Sequence, residues 1–151
     1  MNKFLLVAAL AVAAYFAYAP VVPDRTESTR RPAAVAPAGD REDAAFAKAF
    51  AERLHNQQLA GRGTVVKALP DDNDGSRHQR FIVRLGSGQT LLVSHNIDLA
   101  PRIDTLRAGD TVAFYGEFEW NPKGGVMHWT HHDPQGRHPA GWIRHNGRTY
   151  Q

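Results

Sequence analysis

The spacing of apolar positions changes character three times along this chain. An unbroken apolar run from Phe4 to Ala19 gives way at Pro20 to a stretch without any period, rich in Pro, Ala, Ser, Thr and Arg, that lasts to Gly39. The next period is helical. Phe46, Ala47, Phe50, Ala51 and Leu54 recur at intervals of three and four, Glu42 and Asp43 occupy the first turn, and Arg53 and His55 close the far end, each charge at the end the helix dipole favours. This predicts an amphipathic helix within residues 40–60, capped by Asp40 and running through Asn56, with its apolar stripe docked on the domain that follows.

From Gly61 the period becomes two. Gly61 to Leu69 reads as a first strand, ended by Pro70 and the turn-forming cluster Asp71-Asp72-Asn73-Asp74-Gly75. Gln79 to Leu85 is the second, with Phe81, Val83 and Leu85 on one face, and Gln89 to Ser94 the third. Pro101 to Leu106 reads as a short helix with proline in its first turn. The fourth strand is the clearest: Val112, Phe114, Gly116, Phe118 and Trp120 alternate with Thr111, Ala113, Tyr115, Glu117 and Glu119. Asn121-Pro122-Lys123-Gly124-Gly125 then turns the chain into a fifth strand starting at Val126, and Asn146-Gly147 predicts a C-terminal hairpin pairing Ile143 with Tyr150. Three strands, a short helix and two strands give a mainly β fold, a small OB-like five-stranded barrel over residues 61–151, with an open β-sandwich fragment as the alternative.

The register of strands four and five decides what faces the histidines, because a one-residue slip exchanges every partner. Burying Met127 and Trp129 beside Phe114 and Phe118 sets His128 next to Glu117 on the outside. The turn alone, with Asn121 opposite Gly125, would put Trp129 there instead. The first register is preferred, since burial of large apolar groups outweighs a local turn preference and Gly124-Gly125 can absorb an extra residue.

At the front, Met1-Asn2-Lys3 and the apolar run make the pattern of an export signal, with Ala17-Tyr18-Ala19 or Val12-Ala13-Ala14 as cleavage sites. Left uncut, residues 4–22 would form about 28 Å of helix, close to a bilayer span. Residues 1–22 are thus a signal peptide or an inner-membrane anchor and 23–39 a flexible tether, which predicts a periplasmic or secreted domain whose membrane contact is confined to this segment.

Composition narrows the chemistry. With 151 residues, 42% hydrophobic and 22% charged, the chain suits one globular domain plus extensions. The absence of cysteine excludes disulfides, thiol catalysis and cysteine-ligated metals. A net charge of +3 is spread along the sequence, and from Gly61 onward 11 Lys and Arg stand against 9 Asp and Glu, a weak signal for polyanions.

Seven of the eight histidines lie from His78 onward, and the densest chemistry is Val126-Met127-His128-Trp129-Thr130-His131-His132-Asp133-Pro134. Imidazoles and carboxylates together suit a divalent metal, zinc or manganese, with His95, Glu117, His128, His131, His132 and Asp133 as candidate ligands. Strand five alone holds no complete site. His131 and His132 point to opposite faces and His128 lies about 13 Å from His132 along an extended chain, so other strands must contribute. Arg77, His78, Arg80, Arg102, Trp129 and His138 are candidates for binding a small anionic ligand, or single-stranded nucleic acid on basic and aromatic groups. A metal-assisted phosphodiesterase or nuclease would draw on Asp98, Arg102, Glu117, Arg80 and His95, and a purely structural envelope scaffold would use the same polar groups as a hydrogen-bond network. The acidic loop fails as an EF-hand, because aligning Gly75 with the required glycine puts Pro70 and Phe81 at ligand positions. Ser76, Ser87 and Ser94 sit in no nucleophile elbow, and Glu117 and Glu119 share one strand face without flanking a cleft as a glycosidase pair would.

Several long motifs occur in order: the run from Leu69 to Phe81, then His95-Asn96-Ile97-Asp98-Leu99-Ala100-Pro101-Arg102, Gly116-Glu117-Phe118-Glu119-Trp120, His128-Trp129-Thr130-His131-His132-Asp133-Pro134 and Gly141-Trp142-Ile143. In these the chain resembles the bacterial family catalogued as domain of unknown function 3465, over roughly Gly61 to Gln151. The resemblance implies no activity.

Overall fold

The computed structural model describes residues 36–151. The expected signal or anchor and most of the tether lie outside the described residues, and among those described no helix is long and apolar enough to cross a membrane. Helix α1 spans Ala38–Ala51, and seven strands follow: β1 Gln57–Ala68, β2 His78–Leu85, β3 Thr90–Asn96, β4 Thr111–Glu119, β5 Val126–His128, β6 Trp142–His145 and β7 Arg148–Tyr150.

α1 starts two residues before the expected cap. Pro37 takes the N-cap position without a side-chain bond, and Asp40 lies within the first turn. The helix stops at Ala51, not Asn56, because Arg53 adopts a left-handed conformation (φ 54°). The Leu54 N–H then donates to the Ala49 carbonyl at 2.9 Å and the Arg53 N–H to that of Phe50 at 3.2 Å, the double closure of a Schellman motif. Its buried face carries Phe46, whose ring lies 6.0 Å from those of both Phe114 and Phe118 and is fully buried among them.

β1 is the strand that closes the barrel. Residues 57–64 pair antiparallel with β4, whereas 63–68 pair antiparallel with β2, so one strand serves two neighbours. The handover occurs at Gly63, where a Cβ would sit 2.4 Å from Val83 Cγ1 and 2.5 Å from the Arg84 carbonyl oxygen, followed by a register shift between Val65 and Lys67. β2 pairs with β3, β3 runs parallel to β5, and β5 pairs antiparallel with β4. The result is the expected mainly β closed five-stranded barrel, filled by alternate residues including Val65, Phe81, Val83, Leu91, Val93, Val112, Phe114, Phe118 and Met127. Beyond β5 the edge of β4 continues into the C-terminal hairpin, in which Ile143 opposes Tyr150 as anticipated.

Three segments depart from the pattern. β1 begins at Gln57, inside the stretch expected to be helical. Pro101 to Leu106 is not a helix: the Gln79 side chain donates to the Ile103 carbonyl at 3.0 Å and accepts from the Ile103 N–H at 2.8 Å. That amide engages both backbone groups a helix would need and holds Ile103 in the core. Finally, β5 ends at His128, because Trp129 turns left-handed with φ 51°.

Candidate metal centre on the outer wall

The observed register pairs Glu117 with His128, Phe118 with Met127 and Glu119 with Val126. Met127 is in the core as expected. Trp129 is not; it leaves the strand and stacks on the His138 ring, centroids 4.1 Å apart and planes 10° from parallel, while Thr130 takes the buried position. The hairpin reconciles this register with its turn by placing both Gly124 and Gly125 at positive φ, with the Asn121 side chain accepting from the Lys123 and Gly125 N–H groups. A one-residue conflict is absorbed there.

Alternation on β4 places Glu117 and Glu119 side by side on the outer wall. Gln58 of β1 lies opposite Glu117 on one side and His128 of β5 on the other. Single donor atoms of Glu117, Glu119 and His128 all lie within 4.8 Å of one another. His128 Nε2 sits 3.2 Å from Glu117 Oε1 without the alignment of a hydrogen bond, and it is buried with no partner. Burial pushes the His128 pKa down, against the opposing pull of the Glu117 and Glu119 carboxylates, so the ring is neutral and offers a lone pair.

A fourth group arrives from the loop after β5. Asp133, a predicted ligand, spends its carboxylate on backbone: Oδ1 accepts from the Gln135 N–H at 2.9 Å, and Oδ2 from those of Arg137 at 2.8 Å and His138 at 3.0 Å. These bonds, the Gln135 one foremost, hold its carboxyl below the usual carboxylate range. The loop they shape delivers His138, whose Nε2 lies 2.8 Å from Glu117 Oε2 and whose Nδ1 lies 2.9 Å from the Pro139 carbonyl oxygen. With its proton on Nε2, the ring donates to the Glu117 carboxylate and ties this loop to the cluster. Gln58 also approaches, its Nε2 3.4 Å from His138 Nε2 and its buried Oε1 unpartnered. Glu119 is held from the other side, accepting from the Asn56 N–H at 2.9 Å and meeting His55 Nδ1.

The other predicted ligands are elsewhere. His95 is fully buried, its Nδ1 2.9 Å from Thr130 Oγ1 and its Nε2 3.3 Å from the Pro101 carbonyl oxygen, and burial lowers its pKa to about 4. His131 is buried with Nδ1 on the His132 carbonyl, and His132 is exposed. The arginines are paired away from the cluster: Arg77 with Asp98 at 2.6 Å, Arg80 with Asp72 at 3.5 Å, and Arg102 with Asp71 and Asp104 at 2.9 and 3.1 Å. They brace the acidic loop and its neighbours. His78, Trp129 and His131 do meet beside the cluster, where with Ser94, Asn96 and Leu99 they line a cleft of about 230 Å³ that shares His128 with it.

Glu119, His55 and Gln58 were not among the predicted site residues. Glu119 was signalled by its two-residue spacing from Glu117. His55 carried no such signal, because a histidine after a helix reads as a charge at its end.

A family model described as protein of unknown function (DUF3465) matches residues 33–151, and the chain belongs to that family. A comparison with curated proteins finds no match.

Proposed function

We propose that this member of the DUF3465 family binds a divalent cation, zinc or manganese, through Glu117, Glu119 and His128 on the outer wall of its barrel. The observation that carries the reading is the orphaned His128 Nε2 facing two carboxylates. Among the described residues four buried side-chain N or O atoms lack a partner, and two of them, His128 Nε2 and Gln58 Oε1, border Glu117. A cation satisfies the first directly, and a water bound to it satisfies the second. One imidazole with two carboxylates is a borderline-hard donor set, which suits zinc and manganese. Glu117 would ligate while accepting from His138, and Glu119 while accepting from the Asn56 N–H, the kind of outer hydrogen bond that orients a ligating carboxylate.

A bound divalent cation offsets the two carboxylates and, with three protein ligands, keeps a coordination position open, so the neighbouring cleft, with His78, Ser94, Asn96 and Trp129, would receive a small anionic ligand as the cation's partner. The OB-like strand order supports the same use of the outer wall. The apolar N-terminal run supports placing the domain outside the cytoplasm, periplasmic or secreted, or anchored if uncut. Binding is favoured over phosphodiester cleavage because Arg80 and Arg102 are both paired elsewhere.

Calorimetric titration of the full-length protein with zinc and with manganese tests this. One saturable site is expected, lost in Glu117→Gln and in His128→Ala and kept in His132→Ala. No heat with either metal, or binding that survives both losses, refutes the reading. A reporter active only in the periplasm, fused after Gln151, is expected to be active and to fall silent when residues 1–22 are deleted.

A further inference from the structure

A second cleft lies over β1, β4 and β6, where the C-terminal hairpin extends the barrel wall. The register puts Arg62, Ala113 and Arg144 in one cross-strand row, so two arginines flank a residue with almost no side chain. With strands about 4.8 Å apart, their Cα atoms are separated by about 10 Å, a gap each side chain can half cross. Both line a single cleft of about 410 Å³, floored by Ala113 and walled by Trp142. Arg62 and Arg144 are exposed, and among the described residues neither forms an ion pair, unlike Arg77, Arg80 and Arg102. Arg144 is instead laid over the Trp142 ring, its Cζ 4.2 Å from the centroid, and Trp142 is braced by Tyr115 at 6.3 Å. That contact orients the guanidinium without neutralising it. Glu42 of α1 is the one carboxylate among the lining residues.

We propose that this cleft binds a phosphate group, gripped between Arg62 and Arg144. Two guanidinium groups facing one carboxylate leave a net positive cleft. A carboxylate presents two oxygens in one plane, whereas a phosphate's oxygens are disposed tetrahedrally and can take a bidentate fork from each of two arginines at once. The two sources of this chemistry are a soluble phosphate compound and the phosphodiester headgroup of a lipid. The site shares no residue with the Glu117 cluster and does not depend on a metal there.

The test is titration of the full-length, ¹⁵N-labelled protein with inorganic phosphate, pyrophosphate and acetate, following the Trp142 indole N–H. A saturable shift with phosphate or pyrophosphate is expected, weaker by about tenfold in Arg62→Ala and in Arg144→Ala, tighter in Glu42→Gln, and weaker with acetate. All three substituted side chains lie at the surface, so the fold is expected to persist, checked by unchanged unfolding midpoints. Sedimentation with phosphatidylglycerol against phosphatidylcholine vesicles separates the sources: a preference for the former that vanishes in the arginine double variant identifies the headgroup. Pyrophosphate binding without that preference identifies a soluble ligand. No saturable shift, a shift unaltered in both arginine variants, or an equal response to acetate overturns the proposal.

Discussion

His95 has no exposed surface, and its surroundings fix a single tautomer: Nε2–H donates to the Pro101 carbonyl, and Nδ1 accepts from the Thr130 hydroxyl. Protonation would put a second N–H against an oxygen that already donates and leave a charge in the core, which is why burial brings the pKa from 6.5 to about 4. Above pH 6.5 the ring is neutral folded or unfolded, and its contacts contribute in full. Between 6.5 and 4 the unfolded chain takes up a proton that the folded one refuses, so stability falls as pH falls, by on the order of 3 kcal/mol over the window. Urea unfolding of wild type and His95→Gln is therefore expected to show wild type more stable at about pH 7.5, with the gap closing towards pH 4.5. A gap independent of pH would mean that His95 does not carry this linkage. The same residue shows how a histidine can be attractive in a sequence and closed in a fold: its position at the end of β3 was legible, but not that its two nitrogens would be consumed by Thr130 and Pro101.

At the scale of elements, the barrel depends on β1 changing neighbours within one strand. Gly63 and Thr64 are both paired with β2 and β4 at once, and at Gly63 a methyl group would meet the Val83 side chain and the β2 backbone at contact distances no real Cβ shows. Gly63→Ala is expected to cost about 2–4 kcal/mol in chemical denaturation, whereas Thr64→Ala, one residue on and pointing outward, should cost well under 1 kcal/mol. Equal effects would show that the bend is not constrained by packing at Gly63. Alternation made four of the five barrel strands and the hairpin legible, and the Glu117–His128 pairing expected from burying Met127 and Trp129 is observed although Met127 alone of the two enters the core. What alternation could not reveal was non-local. Whether Pro101 to Leu106 coils into a helix is decided by the Gln79 amide, 24 residues earlier, and whether strand five continues is decided by Trp129 finding a better surface on His138 than in the core. Helical periodicity likewise continued past Ala51, but the left-handed Arg53 closes the helix and frees Gln57 for β1.

For the whole molecule, the carboxylate cluster is a junction between parts of the chain far apart in sequence. Glu119 is tied to His55 and Asn56, where α1 hands over to β1, and Glu117 is tied through His138 to the loop that Asp133 builds. A cation bound there would stabilise the folded chain as a unit, by about 2.7 kcal/mol at a hundredfold excess over its dissociation constant, and the unfolding temperature should rise with metal concentration. The loop's share can be isolated. Asp133→Ala removes the acceptor for three backbone N–H groups without touching any of Glu117, Glu119 or His128, so His138 should lose its position against Glu117 and its stack on Trp129. The barrel core is untouched, yet metal affinity should drop by about tenfold, the usual effect of losing an orienting neighbour of a ligating carboxylate. Asp133→Asn, which keeps one carbonyl acceptor, should fall between. The accompanying sign is an NMR one: His138 ring protons, shifted by the Trp129 ring current in the wild type, should move towards random-coil values in Asp133→Ala. Released His138 protons with undiminished metal affinity would show that Glu117 is held by the barrel alone. An affinity lost as completely as in His128→Ala would instead make His138 a ligand in its own right.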